Sequence, residues 1–306
     1  MVSVFCIGHA VQDLVFSIDK MPSNAIKYSA SAFKTIGGGP AATAAVAISK
    51  LGGSVRLASR VGEDILADFI IAELESYDVD CSLVQRISGH QTSTSAVLVD
   101  KNGERMIVNF QDGSLTSDIK WLKKKFSLDS HAVLADTRWP EAGIYGLELA
   151  KEKGIPAVLD ADVPVPKDGK LVNAATHVAF SENGLMDFSG IKNAEIALQS
   201  VHEKYGNCCC VTLGSEGTLI IEDGNQTHVP AFKVDVSDTL GAGDVWHGAF
   251  SLALAEGKLT IDAAIFASAV AALKVQNGNG RAGCPSRENV ESFLQQYQKS
   301  GNNYVT

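Results

Sequence analysis

The stretch DTLGAGDVWHGAF, residues 238–250, places two glycines and an alanine directly before an acidic residue and an apolar run. The turn consists of Gly241, Ala242 and Gly243. Glycine suits a turn in which the backbone must approach another group closely. The backbone amides of this turn, at the start of a helix that begins near Asp244, would form an anion site together with the positive end of the helix dipole. The stretch therefore predicts an anion-binding turn with a carboxylate beside it.

Asp244 has two compatible roles in this pattern. By itself, an aspartate at such a turn is most often a helix-capping residue. Beside an anion site, its carboxylate can accept the proton of a hydroxyl group while the amides stabilise charge on a phosphoryl group in transfer. The turn alone therefore leaves both capping and catalysis open for Asp244.

Short apolar runs alternate with helical patterns along most of the chain. Runs such as VSVFCIG, HAVLAD and CCCVTLG are typical of buried strands, and segments such as PAATAAVAISKLGG carry apolar residues at helical spacing. This alternation predicts an α/β fold with three layers, in which helices cover both faces of a mostly parallel sheet. In such sheets ligands bind beyond the carboxyl ends of the strands.

Two segments, about 12–36 and 90–112, show a period of two instead. The second contains KNGE, an Asn-Gly turn between two strand-like runs, which is typical of a hairpin. We expect the two segments to pair as a small antiparallel sheet that projects from the main sheet, either as a lid over an active site or as a dimer surface, or as both. Because no long linker or repeat divides the chain, we predict a single domain over residues 1–306 with this discontinuous lid.

Composition narrows the choice of partners. The formal net charge is −9, which argues against a nucleic-acid-binding protein because phosphate backbones need a basic surface. No apolar run approaches the ~20 residues of a membrane helix, and the N-terminus lacks the basic start of a signal peptide. We therefore expect a cytoplasmic protein. The six cysteines include no CxxC pair, which argues against structural zinc and favours buried reduced thiols.

A second glycine-rich turn contains Gly37, Gly38 and Gly39. The pattern Gly37-x-Gly39-x-x-Ala42 loosely matches a dinucleotide fingerprint. That fingerprint belongs in the first βα turn, but GHAVQD follows the first predicted strand, so we reject a dinucleotide-dependent oxidoreductase. No GxxxxGK[ST] motif is present, which excludes a P-loop. The three glycines indicate either a close helix start, with Pro40 in the first turn, or backbone amides that approach a polyhydroxy ligand.

These motifs together resemble a known family. DTLGAGDVWHGA resembles the C-terminal signature of the ribokinase/phosphofructokinase B (PfkB) family of carbohydrate kinases, and GGGPAATAAVAISKLG with SRVGED is similar to its N-terminal signature. The resemblance covers nearly the whole chain. It implies a ribokinase-like fold, phosphorylation of a sugar hydroxyl with ATP and Mg²⁺, and a β-sheet lid that often forms a homodimer contact.

The resemblance also implies roles for individual residues. Asp244 matches the catalytic base, the 241–243 amides match the anion hole, and Asp13 in GHAVQD matches the acid that binds sugar hydroxyls. VTLGSEG resembles the nucleotide-side loop, whose matching residues are Thr212, Gly214 and Gly217.

Two departures of the chain from the family pattern bear on ligand contacts. Ala42-Thr43 stands where many members have an asparagine, so a usual sugar contact is missing or replaced. The N-x-x-E element, associated in the family with magnesium and phosphate, is SENG here, which leaves the metal ligands unassigned beyond the neighbouring Glu182. Because the base and the anion hole are intact, these changes indicate an unusual substrate rather than an inactive protein.

A subset of the family, the 6-deoxy-6-sulfofructose kinases, resembles the chain more closely. The shared features include GGGPAATAA, Lys27, Asn109 in IVNF, Arg138 in LADTRW, and GNGRAG. A sulfonate is a singly charged anion with three acceptor oxygens, and it suits the forked guanidinium of Arg138 with a point charge from Lys27 and an amide from Asn109. A phosphate would satisfy the same donors, so residue chemistry alone leaves a phosphosugar open.

The resemblance therefore favours a kinase that phosphorylates O1 of 6-deoxy-6-sulfofructose. The nearest alternative is a family kinase for another ketose, a phosphoketose or a keto-deoxy sugar acid. A more remote alternative is a non-catalytic member that binds a sugar or a nucleotide, although such proteins tend to lose the aspartate that is present here as Asp244.

Overall fold

The structure of the protein is a computed structural model that describes residues 1–102, 104–300 and 304. Within these residues, nine strands form one central sheet. In chain order they are β1 (Ser3–Ile7), β4 (Ser54–Gly62), β5 (Asp80–Ile87), β8 (Ala132–Asp136), β9 (Ala157–Ala161), β10 (His177–Ser181), β11 (Cys208–Thr212), β12 (Thr218–Glu222) and β13 (Asn225–Val229), with the four missing numbers belonging to a second sheet.

The order across the central sheet is β13-β12-β11-β10-β9-β8-β1-β4-β5. Neighbouring strands run parallel from β5 to β11, and β12 and β13 extend the sheet in antiparallel orientation. The central parallel strands are buried along almost their whole length, because helices cover both faces. Continuous apolar runs such as AVLA and CCCV are the sequence pattern of such strands.

Ten helices in the described residues complete the layers. They are α1 (Pro40–Lys50), α2 (Ile65–Ser76), α3 (Lys120–Lys125), α4 (Pro140–Glu152), α5 (Lys170–Ala174), α6 (Glu182–Ser189), α7 (Ala194–Tyr205), α8 (Ala242–Ala255), α9 (Thr260–Asn277) and α10 (Arg287–Lys299). One apolar core lies between the sheet and the face formed by α1, α2 and α8–α10, and a second lies under α3–α7. The predicted α/β/α arrangement is confirmed.

The central helices α1 and α8 touch through a glycine. A Cβ placed on Gly248 of α8 would lie 2.5 Å from the carbonyl oxygen of Ala44 in α1. Only a residue without a side chain allows the two backbones to approach this closely.

The second sheet has four strands in the described residues, namely β2 (Val11–Ser17), β3 (Ala32–Gly38), β6 (Thr94–Val99) and β7 (Arg105–Phe110), in the order β3-β2-β6-β7. It is the lid expected from the sequence, but it is not purely antiparallel, because β2 and β6 run parallel. Residues 19–31, between β2 and β3, form a mostly exposed loop rather than continuing the strand pattern. Gly103 of the predicted Asn-Gly turn lies outside the described residues.

The single-domain boundary over residues 1–306 stays a prediction. Among the residues that the structure describes, none of the helices has the length and hydropathy needed to cross a bilayer.

Candidate active site

The carboxyl ends of β8, β9 and β10 supply polar side chains to one edge of the central sheet. Asp136 ends β8, and its carboxylate accepts hydrogen bonds from the backbone N–H groups of His9 (2.7 Å), Ala41 (3.1 Å) and Arg138 (2.8 Å). Helix α1 begins after Gly39, which has no side chain to cap it, so Asp136 supplies the acceptor from a neighbouring strand. Burial raises the pKa of Asp136 to about 6. This aspartate joins three segments that border the site.

The glycine turn lies at the start of α8. Gly241 is the N-cap in the left-handed conformation (φ 72°), and the helix begins at Ala242, two residues earlier than expected. The N–H of Ala242 donates to the carbonyl of Thr239 (3.2 Å) and therefore points into the turn. Gly243 is exposed, and a Cβ placed there would meet open space. Its N–H belongs to the first helical turn, where N–H groups have no intrahelical acceptor.

Asp244 is the third residue of α8 and is half-buried. Since Gly241 occupies the N-cap and no side chain caps it, Asp244 is not the capping residue considered in the sequence analysis. Burial and the nearby carboxylate of Asp160 raise the pKa of Asp244 to about 7, while the cations of His247 and Arg281 act in the opposite direction. A carboxylate with this pKa is suited to accept a proton near neutral pH.

His247 lies one helical turn after Asp244 and is almost fully buried. Its Nδ1 lies 3.2 Å from Oδ2 of the buried Asp160 in β9, an ion-pair distance without the alignment of a hydrogen bond. Burial by itself would lower the pKa of His247, but the carboxylates of Asp160, Asp244 and Asp162 raise it. His247 therefore has a charged partner inside the protein.

Lys274 of α9 holds the loop that precedes the glycine turn. Its side chain is fully buried, and Nζ donates to the carbonyl oxygens of Asp238 (3.1 Å) and Leu240. Nζ also lies 3.7 Å from Asp238 Oδ2. An ammonium group that donates to two carbonyls of this loop, two residues apart, holds the segment that leads into Gly241.

The lid reaches the same loop through Arg105 of β7. Its guanidinium donates to the carboxylate of Asp238 and, at 3.1 Å, to Oγ1 of Thr239. The side chain of Arg105 therefore connects the lid sheet directly to the loop that precedes the glycine turn.

Asp13 lies on the lid strand β2, beside the second glycine turn. A Cβ placed on Gly38 would lie 2.3 Å from Asp13 Oδ2, so this glycine makes room for the carboxylate. Burial raises the pKa of Asp13, while a hydrogen bond from Ser95 and the charge of Arg281 lower it.

Arg281, in a 3-10 turn over Gly280–Gly283, is the buried cation between the two glycine turns. Its guanidinium donates to Oγ1 of Thr43 (3.2 Å), to Oε2 of Glu73 (3.1 Å) and to the carbonyl of Gly38. It also interacts electrostatically with Asp13 and Asp244. Arg281 thus connects the two signatures.

Close packing also explains why the other two positions of the second turn are glycine. A Cβ on Gly37 would lie 1.8 Å from Glu73 Oε2, and Gly39 has φ 94° and lies against the backbone of His9. Contact of Gly37, Gly38 or Gly39 with a sugar stays a prediction.

Arg138 lies beyond β8, at the same edge as Asp244. Its guanidinium lies 3.5 Å from Oδ2 of Asp162, and the hydroxyl of Ser181 donates to the other oxygen of Asp162 (2.6 Å). Glu182 follows as the exposed first residue of α6.

Two of the expected sugar contacts, Asn109 and Lys27, lie at different positions on the lid. Asn109 of β7 pairs with Ser95 of β6, which pairs with Asp13 of β2, and directly paired residues share a face of the sheet. Asn109 therefore lies in the same row as Asp13. Lys27 is an exposed residue of the loop after β2 and does not belong to this row.

The expected nucleotide-side residues follow β11. Thr212 ends β11, Gly214 begins a 3-10 turn in the left-handed conformation (φ 57°), and Gly217 (φ 98°) lies against the backbone of Val229 and Ala231. A Cβ on Gly214 would meet open space, which leaves its backbone accessible.

Several site residues were not identified from the sequence, namely Arg105, Asp136, Asp160, Lys274 and the full role of Arg281. The two aspartates had a signal, because each ends an apolar run, VLAD or AVLD, that was predicted as a strand. No sequence signal marks the roles of Arg105, Lys274 or Arg281, because the partners of each lie in a segment that is distant in the chain.

Comparison with known proteins extends these observations. A family model described as pfkB family carbohydrate kinase matches residues 1–287. The chain is 27% identical to a ribokinase of Bacillus subtilis, over 96% of the chain and 100% of the relative. It is 28% identical to a deoxyribokinase of Salmonella typhi, over 94% and 97% of the two chains. A crystal structure of an Agrobacterium tumefaciens protein has a TM-score of 0.91 at 34% identity and covers 97% of this chain and 99% of that one.

Proposed function

Because this chain belongs to the pfkB family of carbohydrate kinases, we propose that it transfers the γ-phosphoryl group of ATP to O1 of 6-deoxy-6-sulfofructose. ATP-dependent phosphorylation of a carbohydrate follows from the family, and the sugar and the roles of individual residues are the proposal. Asp244 is the observation on which the chemistry depends, because a half-buried carboxylate with a pKa of about 7 stands beside the glycine turn at the start of α8.

In the proposed reaction, the bond between O1 and the γ-phosphorus forms as the bond to the β–γ bridging oxygen breaks and ADP leaves. Asp244 accepts the proton of the O1 hydroxyl. The first-turn amides of α8, with Gly243 the most accessible, stabilise the charge on the transferring group. Lys274 and Arg105 act as positioning residues, since both hold the loop that leads into Gly241.

The sugar would lie between the lid and the sheet edge. Asp13 is proposed to accept hydrogen bonds from sugar hydroxyls, and the backbone at residues 37–39 would border the sugar. Closure of the lid would exclude water, which otherwise competes as the phosphoryl acceptor.

The sulfonate is assigned to three cationic or amide donors. Arg138 supports this assignment best, because its guanidinium lies at the carboxyl edge of the sheet, where it is one quarter exposed and held by Asp162. Asn109 shares a row with Asp13 on the lid. Lys27 lies on the exposed loop of the lid and would reach the ligand only as that loop closes.

ATP would bind along the turn after β11, with Thr212, Gly214 and Gly217 at its border. Oxygen donors suited to Mg²⁺ are present at the adjoining edge, because the carboxylates of Asp162 and Glu182 follow β9 and β10. When bound there, Mg²⁺ would neutralise charge on the nucleotide phosphates.

The lid is also proposed to form a homodimer contact. One face of its sheet carries exposed apolar side chains, with Phe33 56%, Val108 63% and Phe110 44% exposed. These residues alternate with the row that contains Asp13 and Asn109, so they lie on the opposite face. Burial against a second copy would remove this apolar surface from water.

A substrate panel tests the sugar assignment. ADP release is measured with 6-deoxy-6-sulfofructose, fructose 6-phosphate, fructose, ribose and deoxyribose, and we expect the highest kcat/KM with the sulfosugar. A preference for ribose or deoxyribose would replace the proposed sugar with those named for the relatives. ADP release with none of the sugars would contradict the kinase mechanism built on Asp244.

A further inference from the structure

Three side chains with metal-binding atoms meet at the edge of the central sheet opposite the candidate active site. His177 begins β10, Cys208 begins β11, and Glu222 ends the antiparallel β12, so all three lie at the same edge. His177 pairs with Cys208, and the pairing of Cys209 with Ile221 places Glu222 beside Cys208. One ligand atom from each of the three lies within 4.8 Å of the other two.

The hydrogen bonds of His177 leave one ring nitrogen available for a metal. His177 Nδ1 lies 2.9 Å from Oγ1 of Thr176, and that hydroxyl donates its only proton to the carbonyl of Ala157 (3.2 Å). In the tautomer in which Nδ1 donates to this hydroxyl, Nε2 keeps a lone pair for a metal ion. Metal-binding histidines characteristically donate their other ring N–H in this way.

The remaining ligands are also held in place. Oε1 of Glu222 accepts a hydrogen bond from Oγ1 of Thr260 (2.7 Å), at the start of α9. The ring of Phe250 in α8 packs edge-on against His177, with the centroids 6.1 Å apart. Cys208 is buried, whereas His177 and Glu222 are half-buried, so solvent reaches one side of the cluster.

We propose that His177, Cys208 and Glu222 bind one zinc ion, with water at the fourth position. Imidazole nitrogen, thiolate sulfur and carboxylate oxygen are all zinc ligands, and the thiolate disfavours the harder cations Mg²⁺ and Ca²⁺. The bound ion would join β10, β11 and β12 near the start of α9, at the edge away from Asp244, so we expect it to stabilise the fold rather than to take part in phosphoryl transfer. The absence of a CxxC pair does not bear on it, since the ligands come from three separate strands.

Metal titration tests the proposal. The untagged full-length protein is freed of metal with a chelator and titrated with Zn²⁺ against a chromophoric chelator, and with Co²⁺ while the absorption spectrum is followed. We expect one equivalent of tight binding, a thiolate-to-cobalt charge-transfer band, and a rise in Tm with Zn²⁺. In Cys208→Ala the affinity should fall at least about tenfold and the band should disappear.

Cys209→Ala is the matched control. Cys209 is the next residue of the same strand and is also buried, but its side chain lies on the opposite face of the sheet, in the other core. It should keep both the affinity and the band. Glu222→Gln, which preserves the shape of the side chain, should also lose about tenfold in affinity and serves if Cys208→Ala does not fold. Less than one equivalent bound by the wild type, or equal affinity in Cys208→Ala and Cys209→Ala, would overturn the proposal.

Discussion

Nδ1 of His247 lies 3.2 Å from Oδ2 of Asp160, and this buried pair joins the end of β9 to the helix that carries Asp244. The two charges of the pair act on the pKa of Asp244 in opposite directions, since Asp160 raises this pKa and His247 lowers it. The protonation of the candidate base is therefore set by residues from two elements, and this can be measured.

The pH dependence of turnover tests the assignment of the base. Since the pKa of Asp244 is raised to about 7, kcat/KM should rise as the pH increases through about 7, where the carboxylate becomes ionised. Initial rates at saturating ATP between about pH 5 and about pH 9 give this profile. Asp244→Asn should lose turnover by about 10²-fold to 10⁴-fold, with its CD spectrum unchanged. Ordinary activity in that variant would remove Asp244 from catalysis.

Ionisation of Asp244, which should increase turnover, should decrease the stability of the folded state. A carboxyl group with a raised pKa costs the folded state free energy once it is ionised, and this cost grows as the pH rises from the usual value of 3.8 to about 7. Asp244→Asn should therefore have a higher Tm than the wild type at pH 8, with a difference that shrinks as the pH falls below 7. Thermal unfolding at a series of pH values measures the difference. An equal Tm gap at every pH would refute this linkage.

Lys274→Met should impair the loop before the glycine turn. The change leaves the partly buried carbonyls of Asp238 and Leu240 without their donor, which should cost about 1–3 kcal/mol of stability. Because the loop leads into the proposed anion-binding turn, kcat should fall by roughly tenfold or more while KM for the sugar changes little. Lys258→Met is the control, since that lysine is exposed in the loop after α8. Equal kcat in both variants would contradict the positioning role.

Arg138→Ala should separate anionic from neutral sugars. Loss of a charge-assisted contact is expected to raise KM for the sulfosugar by about tenfold or more, and to change KM for a neutral ketose much less. Steady-state kinetics with both sugars give the ratio. An equal rise for both would indicate that Arg138 acts through Asp162 on the site as a whole rather than on the anion.

Val108→Glu should weaken the proposed homodimer. The new carboxylate would lie on the exposed apolar face of the lid. In the proposed dimer a second copy covers this face, so the charge would be buried without a partner. Sedimentation velocity at a fixed protein concentration should show a shift to monomer. Ile196→Glu, at an equally exposed position on α7, should leave the oligomer unchanged. A monomeric wild type would dismiss the lid contact.

The sequence was sufficient for the layers of the fold and for the position of the glycine turn. Strand and helix differ in period and in length, so VSVFCIG and EAGIYGLELAKEKG could be told apart locally. The sequence analysis missed the parallel pairing of β2 with β6. Local turn residues predict only antiparallel hairpins, and no such turn connects these two strands.

The residues that tune the site were less accessible to sequence analysis. Lys274 and Arg281 are buried cations whose partners lie far away in the chain, and an isolated Lys or Arg in a sequence is usually a solvated surface charge. Only the folded arrangement reveals that Arg281 interacts electrostatically with both Asp13 and Asp244. Likewise, the pairing of His247 depends on a strand that precedes it by more than eighty positions.

The contact between Gly248 and Ala44 has a mechanical consequence. Both helices begin directly after glycine turns, so their direct backbone contact fixes how far apart the two turns lie. In the proposed reaction, movement of the sugar toward ATP would then come from the lid and the loops, because the spacing of the two helices depends on the absence of a single methyl group at residue 248.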